Sequence, residues 1–68
     1  MNYYKRLKDL REDNDLTQKQ IAEIIGTSQS YYAQYENGHR PIPLDRFIIL
    51  ADFYGVTLDY LAGRTDTK

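Results

Sequence analysis

Residues 16–38, LTQKQIAEIIGTSQSYYAQYENG, spell two short helices joined by a tight turn. Thr17 is placed to accept from the backbone N–H groups of a first turn, Gln20 can reach back as in a capping box, and Leu16 can pack on Ile21 as a hydrophobic staple. Ile21, Ala22 and Ile25 recur at helical spacing on one face. Gly26 supplies the left-handed conformation that ends a helix, and Ser28 is the next candidate N-cap. The spacing predicts a second helix from Ser28 to about Glu36, stopped by Asn37-Gly38.

The faces of that second helix sort cleanly. Tyr32 and Tyr35 point one way, while Gln29, Ser30, Ala33 and Gln34 form a separate face of small and amide side chains without a charge. Such a face suits base edges: glutamine can bond adenine N6 and N7 together, serine can address several bases, and an alanine methyl can lie against a thymine methyl. The same residues could equally form an ordinary solvated face. The helix in front decides between the two readings, because a helix pair joined by a short Gly-containing turn is the arrangement that seats its second helix in the major groove.

Thr17-Gln18, Ala22, Gly26, Ser28 and Tyr35-Glu36-Asn37-Gly38, at these separations, resemble the lambda-repressor-like (Cro/XRE) helix-turn-helix family, over about Tyr3 to Leu61-Ala62-Gly63. The resemblance implies an all-α fold of five helices with the helix-turn-helix at helices 2 and 3. Residues 1–63 would form the DNA-binding domain and 64–68 a short flexible tail. It implies sequence-specific binding of double-stranded DNA by a transcriptional regulator, most simply a repressor of the phage or mobile-element type. Carried over residue by residue, Gln18 touches a phosphate and orients Gln29, Gln29 and Ser30 read bases beside Ala33, Gln34 sits one turn further along the groove, and Asn37 meets the backbone. Thr17, Lys19, Tyr31 and Arg40 complete the expected phosphate-contacting or orienting set. Thr27 departs from the family, which usually has an aliphatic residue there, and this implies a looser turn and a slightly different angle between the helices.

A chain of 68 residues forms one domain, and at that size only about 60% of the unfolded surface is buried on folding. Without cysteine there is neither a disulfide framework nor a thiolate metal site, as suits a reducing cytoplasm. Residues 1–8 lack the apolar core of a signal peptide, and no apolar run is long enough to cross a bilayer, so a soluble cytoplasmic protein with no membrane partner is expected. The net charge of −1 and pI near 5.6 run against a DNA-binding role, since phosphate neutralisation supplies most non-specific affinity. The distribution softens this: Lys5, Arg6 and Lys8 stand together, whereas Asp9, Glu12, Asp13 and Asp15 crowd the far end of the first helix around Arg11. Lys19, Arg40 and His39 form a thin collar of basic residues around the proposed reading helix, which predicts modest affinity per monomer.

Taken in order, the first helix spans about Tyr3 to Asn14 with Tyr3, Leu7 and Leu10 inward. Arg11 falls on the edge of that stripe, either as a solvated arginine or, as the resemblance implies, paired with Glu36. His39-Arg40-Pro41-Ile42-Pro43 is a stiff connector, with Pro43 a natural first helical residue and Arg40 either a phosphate contact or a free surface side chain. His39 has no second ligand at any metal spacing, so no metal site is expected. The fourth helix, about Leu44 to Tyr54, is expected to turn Leu44, Phe47, Ile48, Ala51 and Tyr54 toward the core. Ile49 and Phe53 lie on another flank, which serves as a dimer interface or is buried over a wider arc. Gly55 ends this helix, and Val56-Thr57 with Leu61 repeats the staple and cap before a final short helix through Ala62.

Enzymatic chemistry has no footing. Asp13 and Asp15 sit at a helix end with no glycine-rich phosphate loop and no nucleophile-base pair, and neither cofactor nor small-molecule ligand is evident. Seven tyrosines invite a single-strand stacking platform, but Tyr3, Tyr32, Tyr35, Tyr54 and Tyr60 are placed as core or half-core residues with surface hydroxyls, not interleaved with a basic groove. Because one reading helix contacts only a few base pairs, a two-fold homodimer on a palindromic operator is expected. Two other classes stay open: a protein-interaction module of antitoxin or anti-repressor type on the same scaffold, which the acidic balance favours, and a purely structural oligomerisation unit.

Overall fold

Local caps and turns set the frame. In the computed structural model, which describes residues 3–67, the chain forms α1 (Tyr3–Asp13), α2 (Gln18–Ile25), α3 (Gln29–Glu36), α4 (Leu44–Tyr54) and α5 (Leu58–Leu61), with no strand among the described residues. Met1 and Asn2, at the start of the expected domain, and Lys68, at the end of the expected tail, lie outside the described residues. The Thr17 hydroxyl accepts from the Gln20 N–H at 3.1 Å while Gln20 Oε1 accepts from the Thr17 N–H at 2.8 Å, which closes the capping box. Ser28 and Thr57 accept likewise from the N–H groups of Tyr31 and Tyr60, at 3.1 and 3.0 Å. Each such cap contributes about 1 kcal/mol.

Gly26 ends α2 at φ +75°, as the sequence requires. Gly38 ends the α3 region at φ +77°, and a Cβ there would stand 2.6 Å from the Tyr4 ring. Conformation and space both demand glycine at that position. Between α1 and α2 the chain turns through Asp15 at φ 55°, a left-handed residue of a type that tolerates it.

The core gathers Leu7 and Leu10 of α1, Ile21, Ala22 and Ile25 of α2, Tyr32 and Tyr35 of α3, Leu50 and Ala51 of α4, and Leu61 of α5. α2 and α3 pack on each other most extensively; α1 lies against α3 and α5, and α4 against α2 and α5. Three expectations need correction. Pro43 is the N-cap of α4 rather than its first residue, at ψ 147°, so the helix begins at Leu44. The buried face of α4 is Phe47, Leu50, Ala51 and Tyr54, with Leu50 fully buried, whereas Leu44 is 68% and Ile48 40% exposed. Apolar residues occur all round this helix, so periodicity leaves its rotation open, and the single arc covered by α2 and α5 selects it. The hydroxyls of Tyr32 and Tyr54 are buried without a hydrogen-bond partner, not turned to the surface.

Beyond α5, Arg6 lies over the Tyr60 ring at 4.1 Å and bonds Asp66 at 3.1 Å. Asp66 is fully exposed, so this pair is screened by solvent and tethers the segment weakly.

Candidate nucleic-acid interface

α3 is a short helix held from behind. Tyr32 and Tyr35 plug its inner face into the core, their rings edge to face at 6.5 Å. One helical turn after Tyr32, Glu36 carries a carboxylate into the same interior, where its side chain is only 2% exposed. Arg11 meets it in the bidentate fork: Nε donates to Oε2 at 2.8 Å and Nη2 to Oε1 at 2.9 Å. The third guanidinium nitrogen, Nη1, donates to the Leu16 carbonyl at 2.9 Å, which fixes the strand of chain entering α2. Gln18 Nε2 adds a longer bond to Glu36 Oε1 at 3.4 Å. One carboxylate therefore ties α1, the start of α2 and α3 together.

Electrostatics follow from this packing. Burial alone would raise the Glu36 carboxyl, but the hydrogen bonds and charge of Arg11 outweigh it, and the carboxyl lies below the usual glutamate value. The Tyr32 hydroxyl adjoins this carboxylate without reaching hydrogen-bond geometry, and burial, then the carboxylate, hold it well above the usual phenol range. Burial pushes the Tyr54 hydroxyl up to about 12, helped by the same negative charge. All three groups keep fixed protonation states near neutral pH, so the mount of α3 does not titrate there.

The outer face of α3 is correspondingly free of structural duty. Gln29 and Ser30 are exposed, Ala33 and Gln34 half-buried beside them. Flanking them, Thr17, Lys19 and Asn37 are exposed and Gln18 is half-buried with its amide committed to Glu36. Tyr31 is 46% exposed on the next flank. Arg40 folds back from the connector: its Nε donates to Gln34 Oε1 at 3.2 Å and its guanidinium lies 4.8 Å over the Tyr31 ring. The Thr27 of the turn is half-buried, with its N–H bonded to the Ala22 carbonyl at 2.9 Å.

Arg46 is a residue that the sequence reading passed over. It donates to the carbonyls of Ile25 and Gly26 at 3.3 and 3.2 Å and so satisfies orphan acceptors at the end of α2, just before the turn. No motif marks it, since the pairing depends on where α4 crosses α2. On α4 itself, Ile48 and Ile49 are each 40% exposed and Phe53 47%, while among the described residues no group of three His, Asp or Glu is arranged to hold a metal ion. No helix of the described residues is long and apolar enough to cross a membrane.

Comparison with known proteins agrees with this geometry. The helix-turn-helix family model matches residues 7–61, from the first core leucine of α1 to the last of α5. The chain is 45% identical over 64 residues to an uncharacterized HTH-type transcriptional regulator, YobD, of Bacillus subtilis, covering 94% of this chain and 57% of that protein. It is 36% identical over 63 residues to the HTH-type transcriptional regulator AnsR of the same organism, covering 93% and 54%. To the cryptic phage CTXphi transcriptional repressor RstR of Vibrio cholerae it is 35% identical over 63 residues, covering 93% and 57%. The chain thus spans a little over half the length of each of these three relatives. With its capped helix pair, its locked second helix and these likenesses together, the chain belongs to the lambda-repressor-like (Cro/XRE) helix-turn-helix family of DNA-binding transcriptional regulators.

Proposed function

We propose that this protein is a sequence-specific repressor that lays α3 in the major groove of an operator, with Gln29, Ser30, Ala33 and Gln34 against base edges. The observation that carries this reading is the division of α3: an uncharged amide and hydroxyl face stands outward on a helix whose back is fixed by the Arg11–Glu36 pair. A reading head needs that rigidity, because base discrimination depends on donors and acceptors held at fixed positions. Thr17, Gln18, Lys19, Tyr31, Asn37 and Arg40 take the phosphate-contacting and orienting roles, the backbone contacts that set register. Likeness to a phage transcriptional repressor points to repression, and DNA as the partner sets that action in the cytoplasm. Residues 1–63 make up the DNA-binding unit, and 64–68 follow it as a tail.

The operator is palindromic and the protein binds it as a homodimer. With Lys19 and Arg40 as the exposed cations assigned to phosphate around the reading helix, one copy neutralises few phosphates, and doubling the contacts brings affinity into the range of a specific regulator. Ile49 and Phe53, with Ile48 beside them, offer an apolar flank on α4 that the core leaves uncovered. A two-fold axis there sets the two reading helices about one DNA turn, about 34 Å, apart. Sedimentation of the Ile49→Glu variant should give a folded monomer that no longer holds the operator, whereas a wild type that stays monomeric at high concentration, on DNA and off it, removes the dimer.

Fluorescence-anisotropy titration against the duplex upstream of the protein's own gene, at low and at physiological salt, tests the central reading. Binding there should exceed binding to a scrambled duplex by about a thousand-fold or more. Equal binding to both duplexes would return the fold to the role of a protein-interaction scaffold.

A further inference from the structure

The Gln34 amide is held in one orientation. Arg40 Nε donates to Gln34 Oε1 at 3.2 Å, and because an arginine nitrogen can only donate, the atom facing it is the carbonyl oxygen. The contact is supported on two further sides. The N–H groups of His39 and Arg40 both bond to the Gln34 carbonyl, at 3.0 and 3.3 Å, so main chain and side chain of the connector close on the same residue. Tyr31, one turn earlier on α3, lies under the guanidinium at 4.8 Å and limits where it can swing.

We infer that Arg40 is a specificity-determining residue: by setting a cationic donor on Oε1 of Gln34 it favours the Nε2 donors as the half of the amide that faces the groove, so this position selects guanine over adenine. A free glutamine pairs with adenine by accepting from N6 and donating to N7. Oε1 keeps a second lone pair, but the guanidinium bonded beside it opposes an approaching donor, so the adenine amino group is disfavoured there. Guanine presents N7 and O6, both acceptors, and suits an amide that offers its donors. The terminal nitrogens of Arg40 remain available to a phosphate, so one side chain links backbone contact to base choice. The inference rests on the reading that Gln34 faces base edges, and it changes the base that the residue type alone suggests.

Selection from a library of randomised DNA duplexes, sequenced after binding to the wild type, Gln34→Ala and Arg40→Ala, tests both levels separately. Gln34 is half-buried and Arg40 exposed, and circular dichroism checks that each variant is folded. The wild type should show one position with guanine over adenine by about five-fold or more. Gln34→Ala should level that position alone. Arg40→Ala should bring adenine to parity or above it there and leave other positions unchanged. Base ratios within one variant cancel any uniform loss of affinity from a missing phosphate contact. A guanine preference that survives Arg40→Ala, or adenine favoured by the wild type, overturns the inference while leaving Gln34 a base contact. If Gln34→Ala changes no position, Gln34 is not a base contact and the inference falls with that reading.

Discussion

α3 and α4 are neighbouring helices on either side of the same connector, and they solve opposite problems. α3 spends Tyr32, Tyr35 and the Glu36 carboxylate on one inner face, and apart from Tyr31 on the flank its outward side chains are small or amide. α4 carries apolar residues all round, buries Leu50 and Ala51, and leaves Leu44, Ile48, Ile49 and Phe53 substantially exposed. A helix with little to bury is fixed by a few specific contacts. A helix with surplus apolar surface is fixed by whichever arc its neighbours cover, and the remainder stays available to a partner.

The largest effect should come from the lock behind α3. Glu36→Gln leaves the Arg11 guanidinium, 13% exposed, without its counter-charge, and denaturant unfolding should show a loss of about 3 to 5 kcal/mol. An unchanged midpoint would mean that α3 is held by its tyrosines alone. The pair also sets an acid limit. Because the folded Glu36 carboxyl lies below its ordinary value of 4.5, its contribution is complete above that pH and is lost as pH falls through the lower, folded value. Wild type should therefore lose more stability than Glu36→Gln between neutral pH and pH about 3.

Within α4 the contrast can be sharpened by two truncations of similar chemistry. Leu50→Ala should cost about 2 to 5 kcal/mol, since it opens a cavity among fully buried neighbours. Ile48→Ala, four-tenths exposed, should cost under about 1 kcal/mol. Comparable losses at both positions would show that α4 is covered over a wider arc than its exposure indicates.

The outer face of α3 should respond in binding and not in stability. Gln29→Ala should weaken the preferred duplex by about 1 to 3 kcal/mol and a random duplex much less, with the unfolding midpoint unmoved. Equal weakening on both duplexes would strip Gln29 of a reading role. The smallest effect is expected of Lys19→Ala, which should weaken all duplexes alike and lower the salt slope by about one unit. A slope that does not change would take Lys19 off the phosphate list.

Local events are written in residues that stand next to them. Thr17 with Gln20, Gly26, Ser28, Gly55 and Thr57 each act within a turn of their own position, through hydrogen bonds and φ values that no distant residue has to supply, and the structure places every one where the chain implies. The sorting of α3 was legible for a related reason, because its large and small side chains separate at a 3.6-residue period. The Arg11–Glu36 pair was legible only through family resemblance, since its partners stand 25 positions apart. Tertiary structure alone decided the rotation of α4, the burial of the Tyr32 and Tyr54 hydroxyls, the anchoring of Arg46 on the end of α2 and the stacking of Arg40 on Tyr31. Each of these depends on how two elements cross, and a sequence that is apolar all round, or a cation in a connector, carries no periodic mark of which neighbour it will meet.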